Sequence, residues 1–230
     1  MAIARAFDSV HFYMSDFSSR VVAKSGVPSD RYHLGKLILQ GLRDDPDFVL
    51  QIDGAIEEFE TNGSVLDRTI RCAISMQNMG LKKGDVIVLI APNHIHLCIP
   101  MYAALNLGII VAPQDPTLGD KELEPYFANM EPKLIFCQCD KTEILKKALK
   151  NINLHTTIVT FDKGDEFINL AEFMIKYCGD SEIKDFQSTD FDTETAVACL
   201  TTTSGTTGVP KAVALSHKNV AISLSYVWYF

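Results

Sequence analysis

From Val86 onward the chain alternates two kinds of apolar pattern. Short runs dominated by β-branched and other apolar residues occur at Val86–Ala91, Ile109–Ala112, Leu134–Cys137 and Thr157–Phe161. Between them lie stretches with apolar residues three and four apart, from about Ile95 to Leu107, Lys121 to Met130, Thr142 to Lys150 and Leu170 to Tyr177. The longer period lines one face of a helix, while a short, nearly continuous apolar run fits a strand buried on both faces. Their regular succession predicts an α/β fold with a mostly parallel sheet flanked by helices. Pro125 falls near the middle of one helical stretch, where its ring is expected to shift the start of the helix or kink it.

The flanks of this region read differently. Phe48–Ile52 and Ile56–Phe59 surround Asp53-Gly54, a pair that suits a tight type I′ hairpin turn. Ser64 is placed to cap the helix that follows, with Asp67 near its positive end. Residues 1–47 form a leading segment of weak signal. The stretch Gly179–Glu194 is polar, with aspartates at 180, 185, 190 and 192, and reads as a surface connection. Thr195–Leu200 and Ala212–Leu215 are two more strands, and Ser216 caps a helix through Asn219, Val220, Leu224 and Val227. Trp228, Tyr229 and Phe230 continue its apolar face and are assigned to core packing.

Composition narrows the class. The 230 residues are 47% hydrophobic and 22% charged, with a formal net charge of −8. An acidic chain without a basic cluster is a poor nucleic-acid binder, and no nucleic-acid partner is expected. Lys146, Lys147 and Lys150 read as the solvated face of a helix. No run approaches the roughly 18 apolar residues that span a membrane, and the first residues lack a secretory pattern. An intracellular location, cytoplasmic or peroxisomal, is expected. Six cysteines, Cys72, Cys98, Cys137, Cys139, Cys178 and Cys199, sit mostly inside apolar elements and read as small buried hydrophobes rather than metal ligands. His94 and His96 are assigned to solvent-facing polar positions, and no metal site is expected.

The chemistry concentrates between the last two strands, in Thr203-Ser204-Gly205-Thr206-Thr207-Gly208-Val209-Pro210-Lys211. Gly205 and Gly208 allow backbone conformations that bring successive N–H groups onto one anion. Thr203, Ser204, Thr206 and Thr207 add hydroxyl donors, and Lys211 adds a compact positive charge. Hydrogen bonds to a charged group contribute about 1.5–3 kcal/mol each, so a few of them hold a polyphosphate. The Walker A loop is excluded. Lys211 follows Pro210 rather than glycine, Ala212 stands where a magnesium-binding hydroxyl is needed, and the loop leads into a strand instead of a helix.

The same loop resembles the signature of the adenylate-forming (AMP-binding) superfamily, which includes acyl-CoA synthetases, 4-coumarate–CoA ligases and insect luciferases. Thr203 to Lys211 and Val213 match that pattern, Ser216-His217 follow at the expected distance, and Ala212 departs from the usual glycine. Gly80–Val86 with Asn93, Ala103–Pro113 with Asp115-Pro116, Glu122-Leu123 and Pro132–Cys137 continue the resemblance in family order, from about Phe48 onward. The resemblance implies a partial AMP-binding domain over 1–230, the N-terminal part of a large domain. The remainder, with the magnesium-binding acid, the ribose-binding aspartate, the hinge and the catalytic lysine, would lie beyond Phe230. It also implies ATP, Mg2+ and coenzyme A as cofactors and a small carboxylic acid as substrate. Thr203, Ser204, Gly205, Thr206, Thr207, Gly208 and Lys211 would grip the nucleotide's phosphates. No acid, base or nucleophile is assigned. Three readings stay open: an acid–thiol ligase, a luciferase-like monooxygenase acting through an adenylate, and a non-catalytic nucleotide-binding fragment.

Overall fold

The computed structural model describes residues 2–164, 166–179, 183–203 and 211–227. Two helices lead the chain, α1 (Ala2–Ser25) and α2 (Leu34–Asp44), joined by a 3₁₀ turn at Pro28–Tyr32. Then come β1 (Val49–Asp53), β2 (Glu58–Thr61) and α3 (Asn62–Asn78). The alternating region follows as β3 (Val86–Ile90), α4 (Cys98–Leu107), β4 (Ile110–Pro113), α5 (Asp120–Met130), β5 (Leu134–Cys137), α6 (Thr142–Asn151), β6 (Thr157–Thr160) and α7 (Leu170–Cys178). The described chain closes with β7 (Val197–Thr203), β8 (Lys211–Ser216) and α8 (His217–Val227).

Six strands form one sheet in the order β6-β5-β3-β4-β7-β8. β6, β5, β3, β4 and β7 run parallel, and only β8 is antiparallel, paired to β7. The mostly parallel α/β fold read from the sequence is the one observed. Every residue of β3 is buried, as a central parallel strand requires. Alternation along the strands divides them between two cores. Ile87, Leu89, Val111, Phe136 and Val159 face α3, α4 and α7, while Val86, Val88, Ile90, Ala112 and Ile135 face α5 and α6. Burying one such side chain contributes roughly 1.5–3 kcal/mol, which makes this slab the rigid base for whatever lies at its edges.

Several local expectations are corrected. The β1–β2 hairpin does not turn at Asp53-Gly54. Its last pair is Asp53 with Glu58, so the connection is residues 54–57. Asp53 Oδ1 accepts from the N–H of Ala55 at 2.9 Å, and the residue with positive φ (56°) is Glu57. The aspartate thus organises a longer turn through its side chain. Ser64 is not the cap of α3; that helix starts at Asn62, and Thr61 accepts from the Ser64 N–H at 3.2 Å. α4 begins at Cys98 rather than Ile95, after a turn over residues 95–97. Pro125 lies inside α5, which begins at Asp120, where the Glu122 carboxylate accepts from the Gly119 N–H at 2.9 Å.

The leading segment, read as weak signal, holds two helices, and in α2 the spacing of Leu34, Leu37, Ile38 and Leu42 is that of one helical face. α2 buries Leu34, Leu37 and Leu42 in the core shared with α3 and α4, and Gly35 and Leu39 are buried as well. It approaches α4 so closely that a Cβ on Gly35 would stand 2.5 Å from the Asn106 Cα. α1 reaches the core through Val21 and Phe17.

Candidate functional site

The parallel strands all point their carboxyl ends to one edge of the sheet, the edge where open α/β folds hold ligands. β7 ends there at Thr203, the first residue of the hydroxyl- and glycine-rich stretch. Thr203, its last residue, pairs with Lys211, the first residue of β8, so both ends of the loop are held in the sheet. Ser204, Gly205, Thr206, Thr207 and Gly208 lie outside the described residues, as do the side chains of Thr203 and Lys211. The structure therefore brings the two anchoring positions of the loop together at the carboxyl edge, beside β4.

The opposite end of this hairpin is clamped by buried side chains. His217, which follows the loop motif, is fully buried, and its Nδ1 accepts from the Leu34 N–H at 3.3 Å, a partner 183 residues away. His33 is likewise fully buried, with Nδ1 accepting from the Lys36 N–H at 3.2 Å. Its Nε2 therefore carries the proton and donates to the Thr189 carbonyl at 3.0 Å. The Phe191 ring lies 4.3 Å from His33 and 4.7 Å from His217. Burial pushes the pKa of His217 down to about 3, and burial also holds that of His33 below its ordinary value. Both imidazoles are thus neutral spacers.

Around them, the stretch expected as a plain surface connection proves to be partly structural. Lys36 Nζ bridges Asp30 at 2.7 Å and Asp190 at 2.6 Å. The buried Thr193 hydroxyl donates to the Ser29 carbonyl at 3.0 Å. The N–H groups of His217 and Lys218 donate to the carbonyls of Ala196 and Thr193, each at 3.0 Å. Ser216 Oγ accepts from the Asn219 N–H at 3.2 Å, which confirms Ser216 as the cap of α8. No signal in the local sequence could have found this clamp, because its partners come from three distant segments.

His94 and His96 are not solvent-facing either. Both are half-buried; the His94 ring stacks on Phe161 at 5.3 Å. His96 Nδ1 lies 2.9 Å from Arg68 Nη1, and Arg68 is also paired to Glu60. Burial, followed by the Arg68 charge, pushes the His96 pKa down. Among the described residues no group of three His, Cys, Asp or Glu side chains could hold a metal ion. Cys72, Cys98, Cys137 and Cys178 are buried and unbridged, while Cys139 and Cys199 are half-buried. The Cys137 thiol is pushed up to about 12 by burial, so it is inert at neutral pH. Lys146 pairs with Glu143 and Glu166, and Lys147 with Asp120, as a solvated helix face would. No helix among the described residues is long and apolar enough to cross a membrane.

A mostly parallel sheet covered by helices, with Thr203 and Lys211 paired at the end of the β7–β8 hairpin, defines an α/β protein. The AMP-binding enzyme family model matches residues 45–230, and the chain belongs to that family. It is 29% identical over 165 residues to the luciferin 4-monooxygenase of Photuris pensylvanica, covering 70% of this chain and 30% of that protein. It is 24% identical over 220 residues to a probable 4-coumarate–CoA ligase of Dictyostelium discoideum, covering 91% of this chain and 39% of that protein. Among solved structures, the luciferase-like enzyme of the nonluminescent mealworm Zophobas morio superposes with a TM-score of 0.75 at 29% identity, over 80% of this chain and 43% of that one. The chain thus spans about a third of the length of these curated relatives.

Proposed function

We propose that the protein activates a carboxylic acid with ATP, forming an acyl-adenylate, and then transfers the acyl group to the thiol of coenzyme A. This chain supplies the phosphate-binding loop. In the first step a carboxylate oxygen attacks the α-phosphorus of ATP and pyrophosphate leaves. Negative charge grows on the departing phosphates, and donors fixed in advance at that position lower the barrier. Lys211 and the hydroxyls of Thr203, Ser204, Thr206 and Thr207 are assigned that task, with Gly205 and Gly208 supplying the bends. The observation that carries the reading is the order of hydroxyls, glycines and Pro-Lys in Thr203–Lys211, set between two strands of the sheet. Mg2+, when bound to the nucleotide, would neutralise phosphate charge, and the described residues offer it no cluster of protein ligands.

A second reading has its own support. The luciferin 4-monooxygenase of Photuris pensylvanica is a relative at 29% identity, and the loop serves adenylation in either case. The two diverge only after the adenylate: a ligase releases AMP with a thioester, whereas a monooxygenase oxidises the adenylate. The test is acid-dependent exchange of labelled pyrophosphate into ATP by the natural polypeptide, followed by analysis of products with coenzyme A or oxygen. Exchange that requires a carboxylic acid, with a thioester as product, is expected. Absence of exchange with every class of acid would sink both readings.

A further inference from the structure

A cleft of about 750 Å³ opens between the β1–β2 hairpin, the start of α4 and the carboxyl ends of β3 and β4. Its walls are mainly apolar, with Leu89 and Pro113 from the strands and Ile95, Leu97 and Met101 from the α4 side. Most of its polar groups are already engaged. Gln51 donates its side-chain N–H to Cys98 Sγ at 3.0 Å, and Asp53 accepts from Ala55. His94 Nδ1 accepts from the His96 N–H at 3.2 Å.

Among the described lining residues, Gln114 carries the one buried side-chain nitrogen or oxygen without a partner, Nε2. Its backbone N–H donates to the Leu89 carbonyl at 2.8 Å, which fixes it rigidly at the end of β4. Its side chain lines the cleft and is only 7% exposed, and Nε2 has no hydrogen-bond partner among the described residues. A buried amide donor without a partner is costly and rare in folded proteins, and a ligand oxygen would satisfy it. Charge decides what kind of oxygen. Among the described residues no lysine or arginine lines the cleft, and Asp53 is the one carboxylate in its lining. A carboxylate or phosphate entering here would be a second negative charge without a cation, in partly apolar surroundings.

We propose that this cleft binds a neutral, apolar molecule carrying a carbonyl-type oxygen, which accepts a hydrogen bond from the Gln114 side-chain amide. The volume falls in the range of roughly 300–1,000 Å³ usual for small-molecule sites. The carboxyl edge of a parallel sheet is also where such sites form. The inference goes beyond the nucleotide reading and does not depend on it, because none of the described lining residues follows Gln114.

Calorimetric titration of the natural polypeptide, without ATP, tests this with two probes of the same apolar body: octan-2-one, neutral, and octanoate, charged at neutral pH. Saturable binding of octan-2-one, at least tenfold tighter than octanoate, is expected. Gln114→Leu should weaken the ketone about fivefold, the usual worth of one neutral hydrogen bond, and Met101→Trp, which fills the cleft, should abolish binding. No heat with octan-2-one, equal affinity for octanoate, or an unchanged affinity in both variants would overturn the proposal. Because nucleotide is absent throughout, any of these results leaves the pyrophosphate-exchange test untouched.

Discussion

Gly35 shows how one residue can settle the placement of a segment with little sequence signal. An added methyl there would meet both the Cα and the side chain of Asn106, at 2.5 and 2.8 Å. Asn106 cannot yield easily. It is fully buried, donates to the Tyr102 carbonyl, and accepts from Ser188 Oγ at 2.6 Å. Gly35→Ala is therefore expected to destabilise the protein by about 1–3 kcal/mol, the cost of overpacking. A urea midpoint unchanged from the parent would contradict that close approach. Phe136 offers the opposite test in the parallel sheet. It is fully buried and meets Phe173 edge-on with ring centroids 6.0 Å apart. Phe136→Ala should cost about 3–5 kcal/mol, measured by the same unfolding experiment; a loss below 1 kcal/mol would mean that the sheet core is not packed as described.

The β7–β8 hairpin carries the two anchoring positions of the proposed phosphate loop, and its clamp makes it sensitive to acid. His33 and His217 are held neutral when folded, with pKa values below the ordinary histidine value of 6.5, that of His217 near 3. Between those values the unfolded chain binds more protons than the folded one, so stability is complete above about pH 6.5 and declines as pH falls toward 3. One such proton corresponds to about 1.4 kcal/mol per pH unit. His217→Phe should lower stability at neutral pH, since the Leu34 N–H loses its acceptor, yet flatten the decline between pH 6 and 4. An equally steep decline in that variant, followed by chemical denaturation at each pH, would show that this imidazole does not carry the effect.

At the same scale, the sequence made the alternating strands and helices legible because each is a local pattern. The runs Val86–Ala91 and Leu134–Cys137 are apolar for the reason that both faces of those strands are covered. The hairpin turn was misplaced because Asp53 acts through its side chain on Ala55, a geometry that Asp-Gly does not reveal by spacing. α2 carries a helical period, with Leu34, Leu37, Ile38 and Leu42 three and four residues apart, and so was legible in principle; its placement was not, because that depends on the fit of Gly35 to a helix some seventy residues later.

For the whole molecule, the family was legible in one nine-residue loop and supported by weaker segments whose order counts more than any one of them. The clamp of His33, Phe191 and His217 and the cleft beside Gln114 were not, since each is assembled from segments far apart in the chain. In the proposed function Thr203–Lys211 grips the phosphates of ATP during adenylation. Acid-dependent pyrophosphate exchange by the natural polypeptide, compared with its Lys211→Ala variant, tests it most directly. Loss of one preorganised donor predicts a fall on the order of 10²–10³ in rate, with folding unchanged by circular dichroism. An exchange rate equal to that of the parent would contradict the account.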